Sequence, residues 1–159
     1  MNHSLDDMYR DIILDHYRSP RGKAPIPHPQ ISSNGMNPSC GDEISMAAEV
    51  SDGTLTKVHV HCRGCAISVA SGSMLAEVLK GKSVAEAKEI AEDVRRMLKG
   101  EDCGRVESLG DLDALKGVRK FPVRIKCALL AWMTFMAGIK EYEAGSGTQV
   151  KISTEDDAI

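Results

Sequence analysis

Between Ile44 and Leu79 the spacing of apolar residues changes period once, from two to about 3.6, and this change restricts the fold more than any other feature. Ile44, Met46, Ala48 and Val50 alternate with polar or small residues, and Ser51-Asp52-Gly53 makes a turn. Leu55 then leads into Val58, Val60 and Cys62 on one face, with Lys57, His59 and His61 on the other. That pattern is a hairpin. After Cys65 the stripe Ile67, Ala70, Met74, Leu75, Val78 and Leu79 is helical and closes at Gly81. Ser83 with Glu86 forms a capping box for the next helix, whose apolar face is Val84, Ala87, Ile90, Ala91, Val94 and Leu98, ending at Gly100.

The flanks complete an α+β chain. Residues 4–18 carry Leu5, Met8, Tyr9, Ile12, Ile13 and His16 on one stripe, with Ser4 as N-cap and Asp6 and Asp7 in the first turn. From Lys23 to Pro38, prolines at 25, 27, 29 and 38 require extended or looped backbone, and a strand before Pro38 is only weakly signalled. Residues 101–120 read as a loop around a short helix at Asp111–Leu115. Pro122 stands where a first helical residue would, and the longest helix runs from Val123 to about Tyr142. The expected organisation is a single domain over 1–143, with 144–159 a disordered acidic tail.

Composition removes several function classes. The longest apolar run, Cys127 to Gly138, is shorter than the about 20 residues a bilayer span needs, and the N-terminus lacks the pattern of a signal peptide. Twenty Lys and Arg against 23 Asp and Glu give a net charge of -3 with no basic run, and aromatics are few, which argues against nucleic acid. A cytoplasmic location is expected, where thiols stay reduced, so five cysteines point to metal or thiol chemistry rather than disulfides.

Three of those cysteines stand where ligands would. Cys40 lies in the polar loop Asn37-Pro38-Ser39-Cys40-Gly41-Asp42, an odd place for a packing cysteine. Gly41 lets the chain turn so that Asp42 points to the same centre; a thiolate beside a carboxylate is repulsive without a divalent metal. Cys65 sits at a strand-to-helix junction, where the helix N-terminus favours thiolate. Cys127, near the start of the last helix, would be an ordinary core residue were it not for Arg124 and Lys126 within one turn. Cys62 completes a C-x-x-C with Cys65, but shares a strand face with Val58 and Val60 and reads as core. Cys103 has no ligand neighbours, and His59 with His61 reads as surface.

At these residues the chain resembles the U-type iron–sulfur assembly proteins. Asn37–Asp42, Gly64-Cys65-Ala66-Ile67-Ser68 and Arg124-Ile125-Lys126-Cys127-Ala128 look like the family's three cysteine motifs, in order, and Met8–Arg21 looks like its first helix. The long segment between the second and third motifs, and Lys126 where IscU scaffolds carry histidine, are similar to the SufU branch. The resemblance implies a small three-stranded antiparallel sheet packed against several helices. It also implies one Zn²⁺ held by Cys40, Asp42, Cys65 and Cys127, a set of charge about -2 that Arg124 would balance. Cys40 would accept persulfide sulfur from a SufS-type cysteine desulfurase and serve downstream Suf assembly proteins. The alternatives are a scaffold holding a [2Fe–2S] cluster on the same residues, or a zinc that merely tethers the fold. Cys62 departs from the family, which usually has a small residue there, and leaves open a competing ligand or a disulfide with Cys65.

Overall fold

The structure is a computed structural model and describes residues 5–101, 104–145 and 150–155. Helix α1 (Leu5–Arg18) precedes strands β1 (Ile31–Asn37), β2 (Asp42–Ser51) and β3 (Thr54–Arg63). Helices α2 (Ala66–Leu79), α3 (Val84–Leu98) and the one-turn α4 (Gly104–Glu107) follow. A 3-10 helix (Gly110–Lys120) leads into α5 (Pro122–Ala144) and strand β4 (Val150–Ser153). The expected N-cap Ser4 and the isolated Cys103 lie outside the described residues.

The hairpin read from the apolar alternation is present, with one refinement. Asp52 and Gly53 both take positive φ, the conformation a tight two-residue turn needs to match strand twist. Glu49 pairs with Lys57 and Val50 with Leu55, leaving Thr56 as an extra residue. This bulge changes the phase of β3, so Leu55 and Val58 both face the core although three positions apart.

The sheet has four strands, not three, in the order β3-β2-β1-β4, and β4 runs parallel to β1. It is mixed rather than antiparallel. β1 gives little signal in the sequence because its inward face is Ile31, Ser33, Gly35 and Asn37, small or polar rather than apolar. That face suits a helix lying close: the Ser33 hydroxyl donates to the Thr134 carbonyl of α5 at 2.9 Å. Of the tail expected to be disordered over 144–159, residues 146–149 and 156–159 lie outside the described residues, and β4 corrects the expectation for the rest, since Val150–Ser153 pairs with Ser33–Met36 and Thr154 is 2% exposed. An alternation of only Val150 and Ile152 within acidic surroundings is too short to announce a strand. Between α3 and α5 the chain is more regular than the expected loop, with α4 and an 11-residue 3-10 helix.

α2 is central. Its small residues Ala70, Ser71, Gly72 and Ser73 are buried, which lets α1, α5 and β3 approach it closely. Ser71 donates to the Ala128 carbonyl at 2.7 Å and accepts from the Trp132 indole at 3.0 Å, locking α2 to α5. The buried His16 ring joins Ser73 and Asp111, each at 2.7 Å, fixing α1 to α2 and the 3-10 helix. α5 is long and apolar enough to cross a membrane by length and composition, but Leu130, Trp132, Phe135 and Ile139 lie in the core.

Candidate metal centre

The hairpin turn between β1 and β2, the start of α2 and the first turns of α5 meet at one end of the sheet. Asn37 and Asp42 are the last pair of the β1–β2 ladder, so residues 38–41 form the turn that carries Cys40. Gly41 has φ of 72°, a left-handed conformation that lets the chain reverse immediately after Cys40. The Cys40 N–H donates to the Asn37 carbonyl at 3.2 Å, closing the turn.

Asp42 is 1% exposed and surrounded by donors. The Ser68 hydroxyl lies 2.6 Å from Oδ2, the Cys65 N–H 2.9 Å from Oδ1 and the Asn37 amide 3.4 Å from Oδ2. Burial alone would raise this carboxyl, but donated hydrogen bonds from Ser68, the Cys65 N–H, Cys127 and Asn37 outweigh it and hold the group below its ordinary value. A Cβ on Gly64 would stand 2.8 Å from the Asp42 Cγ, so only glycine admits the carboxylate here. Asp42 in the metal-free protein therefore stabilises the fold above the ordinary carboxylate range and loses that contribution as pH falls through its lowered value. The expected result is that Asp42→Asn melts below the metal-free wild type at neutral pH, with the gap closing below about pH 4; a gap independent of pH would contradict the assignment.

The thiols gather around this carboxylate. Cys40 Sγ, an Asp42 oxygen and Cys127 Sγ lie within 4.8 Å of one another, with Cys127 Sγ 3.4 Å from Cys40 Sγ. Cys65 is the N-cap of α2: Ser68 N–H donates to its sulfur at 3.5 Å, and its Sγ is 3.9 Å from Asp42 Oδ2. It stands outside the tightest cluster but touches the same carboxylate. Cys127 is fully buried, and burial, followed by Cys40, Cys65 and Asp42, pushes its thiol strongly up. Two thiols and a carboxylate this close repel one another as anions, and a divalent cation is the ordinary remedy. The donor set fits Zn²⁺, and Cys65 is near enough to supply a fourth ligand after a small adjustment.

Arg124, one turn before Cys127, is exposed. Its guanidinium is raised by a hydrogen bond to Cys127 and by the thiols of Cys65, Cys127 and Cys40. Lys126 instead reaches Glu155 at 3.6 Å. Cys62 of β3 pairs with Ile44 of β2 and packs against the core; burial, then Asp42 and Cys65, push its thiol up to about 12. It does not join the ligand cluster, nor do His59 and His61.

Two residues inside the cysteine motifs, Ser68 and Asn37, have supporting roles that the sequence does not assign. Ser68 orients Asp42 and Cys65 together from its place three residues after the cap. Asn37 is fully buried and donates to Asp42 and, at 3.5 Å, to Cys127. No spacing rule links it to position 127, because β1 and α5 meet only in the folded chain.

Comparison with known proteins finds similar chains. Residues 8–149 match the NifU-like N terminal domain model, a stretch that ends one residue before β4. The zinc-dependent sulfurtransferase SufU of Bacillus subtilis (strain 168) is 37% identical over 145 residues, covering 91% of this chain and 98% of that protein. The iron–sulfur cluster assembly scaffold protein IscU of Streptococcus pyogenes serotype M1 is 34% identical over 140 residues, covering 86% and 85%. Among solved structures, FiSufU of Fervidobacterium islandicum AW-1, proposed as a scaffold for the SUF system, superposes with a TM-score of 0.77 at 28% identity, covering 86% of this chain and 99% of that one.

Proposed function

The chain belongs to the NifU-like N-terminal domain family, which includes the IscU and SufU proteins, and from that premise we propose that it is a zinc-dependent sulfurtransferase for iron–sulfur cluster assembly. It takes persulfide sulfur from a SufS-type cysteine desulfurase and delivers it to downstream Suf assembly proteins. The observation that carries this reading is the convergence of Cys40, Asp42 and Cys127, with Cys65 beside them, where only Cys40 rides on a turn.

Cys40, Asp42, Cys65 and Cys127 would hold Zn²⁺, which when bound keeps the thiols deprotonated near neutral pH. The rest is done by the chain. Cys127 and Cys65 belong to helices packed into the core, whereas the Cys40 turn swings on Gly41 without disturbing packed side chains. The Cys40 thiolate attacks the outer sulfur of the donor's Cys–S–S⁻ group. A new S–S bond forms on Cys40, the donor's S–S bond breaks, and the donor cysteine leaves as a thiolate that takes up a proton. Arg124 offsets the negative charge gathered at the site.

The partner reading has surface support. A groove of about 390 Å³ opens beside the start of α2, lined by Tyr9, Ile13, Ile67 and Phe121. Phe121 and Val123 at the start of α5 are 58% and 74% exposed, an apolar surface that a protein partner would cover.

Scaffold assembly is the second reading, favoured by the IscU relatives. Metal analysis and an absorbance scan of aerobically purified protein separate the two, since zinc is colourless and a [2Fe–2S] cluster is not. About one zinc per chain with no visible absorption is expected. Incubation with a cysteine desulfurase and cysteine should then add one sulfur atom to the chain, seen by mass spectrometry. A coloured iron protein that gains no sulfur would be a scaffold instead.

A further inference from the structure

The two residues after β4 reach back to the β1 side of the turn that carries Cys40. Thr154 N–H donates to the Met36 carbonyl at 2.9 Å, and its hydroxyl donates to Asn37 Oδ1 at 2.9 Å in a fully buried contact. The same Asn37 amide turns its NH₂ toward Asp42 and Cys127. Glu155 accepts from the Ser39 hydroxyl at 3.1 Å and lies 3.6 Å from Lys126 Nζ. Thus residues immediately before Cys40 and immediately before Cys127 are tied to one short strap. β4 lies beyond the stretch matched by the family domain.

We propose that Thr154 and Glu155 are positioning residues for the metal centre: the strap holds the Cys40 turn against Cys127 and restrains its release. The proposal rests on Cys40 being the mobile ligand of the reading above. Thr154 carries most of the effect. An asparagine has one acceptor and one donor end, and a hydroxyl occupying Oδ1 leaves the NH₂ end committed to Asp42 and Cys127. Without that hydroxyl, Oδ1 is a buried acceptor lacking its partner, and the amide can rotate away from the ligands. The Glu155 contacts are exposed and screened by solvent, so they contribute less.

The test is the alkylation rate of each cysteine by iodoacetamide in the purified full-length protein as isolated, read by peptide mass spectrometry. Thr154→Val keeps the shape and removes the donor; Cys40 should react about fivefold faster, the effect of one lost buried hydrogen bond. Cys62 and Cys65 rates should stay at their wild-type values. Glu155→Gln should give a smaller acceleration confined to Cys40, and Thr154→Ser should restore the wild-type rate because it keeps the hydroxyl. An unchanged Cys40 rate in Thr154→Val overturns the proposal. So does equal acceleration of every cysteine, which is general loosening rather than positioning. No desulfurase enters this measurement, so failure of sulfur transfer and failure of the strap are distinguishable.

Discussion

Replacing Cys40 with serine is expected to reduce the stimulation of a cysteine desulfurase to the level seen with no added protein. A thiolate is the species that attacks a persulfide, and a serine hydroxyl stays protonated and unreactive at neutral pH. No neighbouring thiol can take over. Cys127, in the first turns of α5, is fully buried with its thiol pushed strongly up, and Cys65 is fixed as the cap of α2. Cys62 faces the core, with its thiol pushed up to about 12 by burial and by Asp42 and Cys65. Asp42→Ala should behave differently, because it removes a ligand and the acceptor for Ser68 while leaving the nucleophile. A measurable remainder of stimulation is expected there. Desulfurase turnover with cysteine gives the rates, and mass spectrometry of the trapped persulfide gives the residue. Full stimulation by the serine variant, or the added sulfur on Cys62 in the wild type, would remove Cys40 from its role.

What the sequence reveals about this site follows from the range over which each signal acts. Cys40, Gly41 and Asp42 are adjacent, and Cys65 stands where the apolar period changes, so local chemistry marks them. The β2–β3 hairpin is legible for the same reason. β1 is not, because its inward face of Ser33, Gly35 and Asn37 matches the close approach of α5 and carries no apolar alternation. β4 is shorter still, and its pairing with β1 is parallel, a contact between segments more than a hundred residues apart. Asn37 and Thr154 follow from that hidden pairing. Side chains that orient ligands act through the folded chain, and single-sequence periodicity has no access to them. The bulge at Thr56 is a smaller case: alternation predicts one face for Val58, Val60 and Cys62, yet only the paired ladder explains why Leu55 joins them.

Removing the metal is expected to lower the melting temperature by on the order of 10 °C while leaving a cooperative transition. The ligand residues join the β1–β2 turn, the start of α2 and the start of α5, so a bound ion cross-links three segments distant in sequence. Binding to the native state alone contributes about 4 kcal/mol when free metal is a thousand times its Kd. For a chain of this size, each kcal/mol moves the midpoint by about 2–4 °C. The core centred on Met74, Leu75, Trp132 and Phe135 does not involve the ligands, and it preserves the cooperative melt. Loosening should concentrate in residues 37–42, where amide exchange rises, while α2 and α3 keep their protection. The stabilisation should also grow with pH. In the metal-free protein the raised Cys127 thiol remains protonated, so binding must displace its proton, and acid competes with the metal. Calorimetry of holo and stripped protein across pH 6 to 8, a range of about two units around neutrality, measures both effects. An unchanged melt after verified removal would show that the site does not brace the fold, and full metal retention in Cys65→Ser with loss in Cys62→Ser would exchange those two cysteines as ligands.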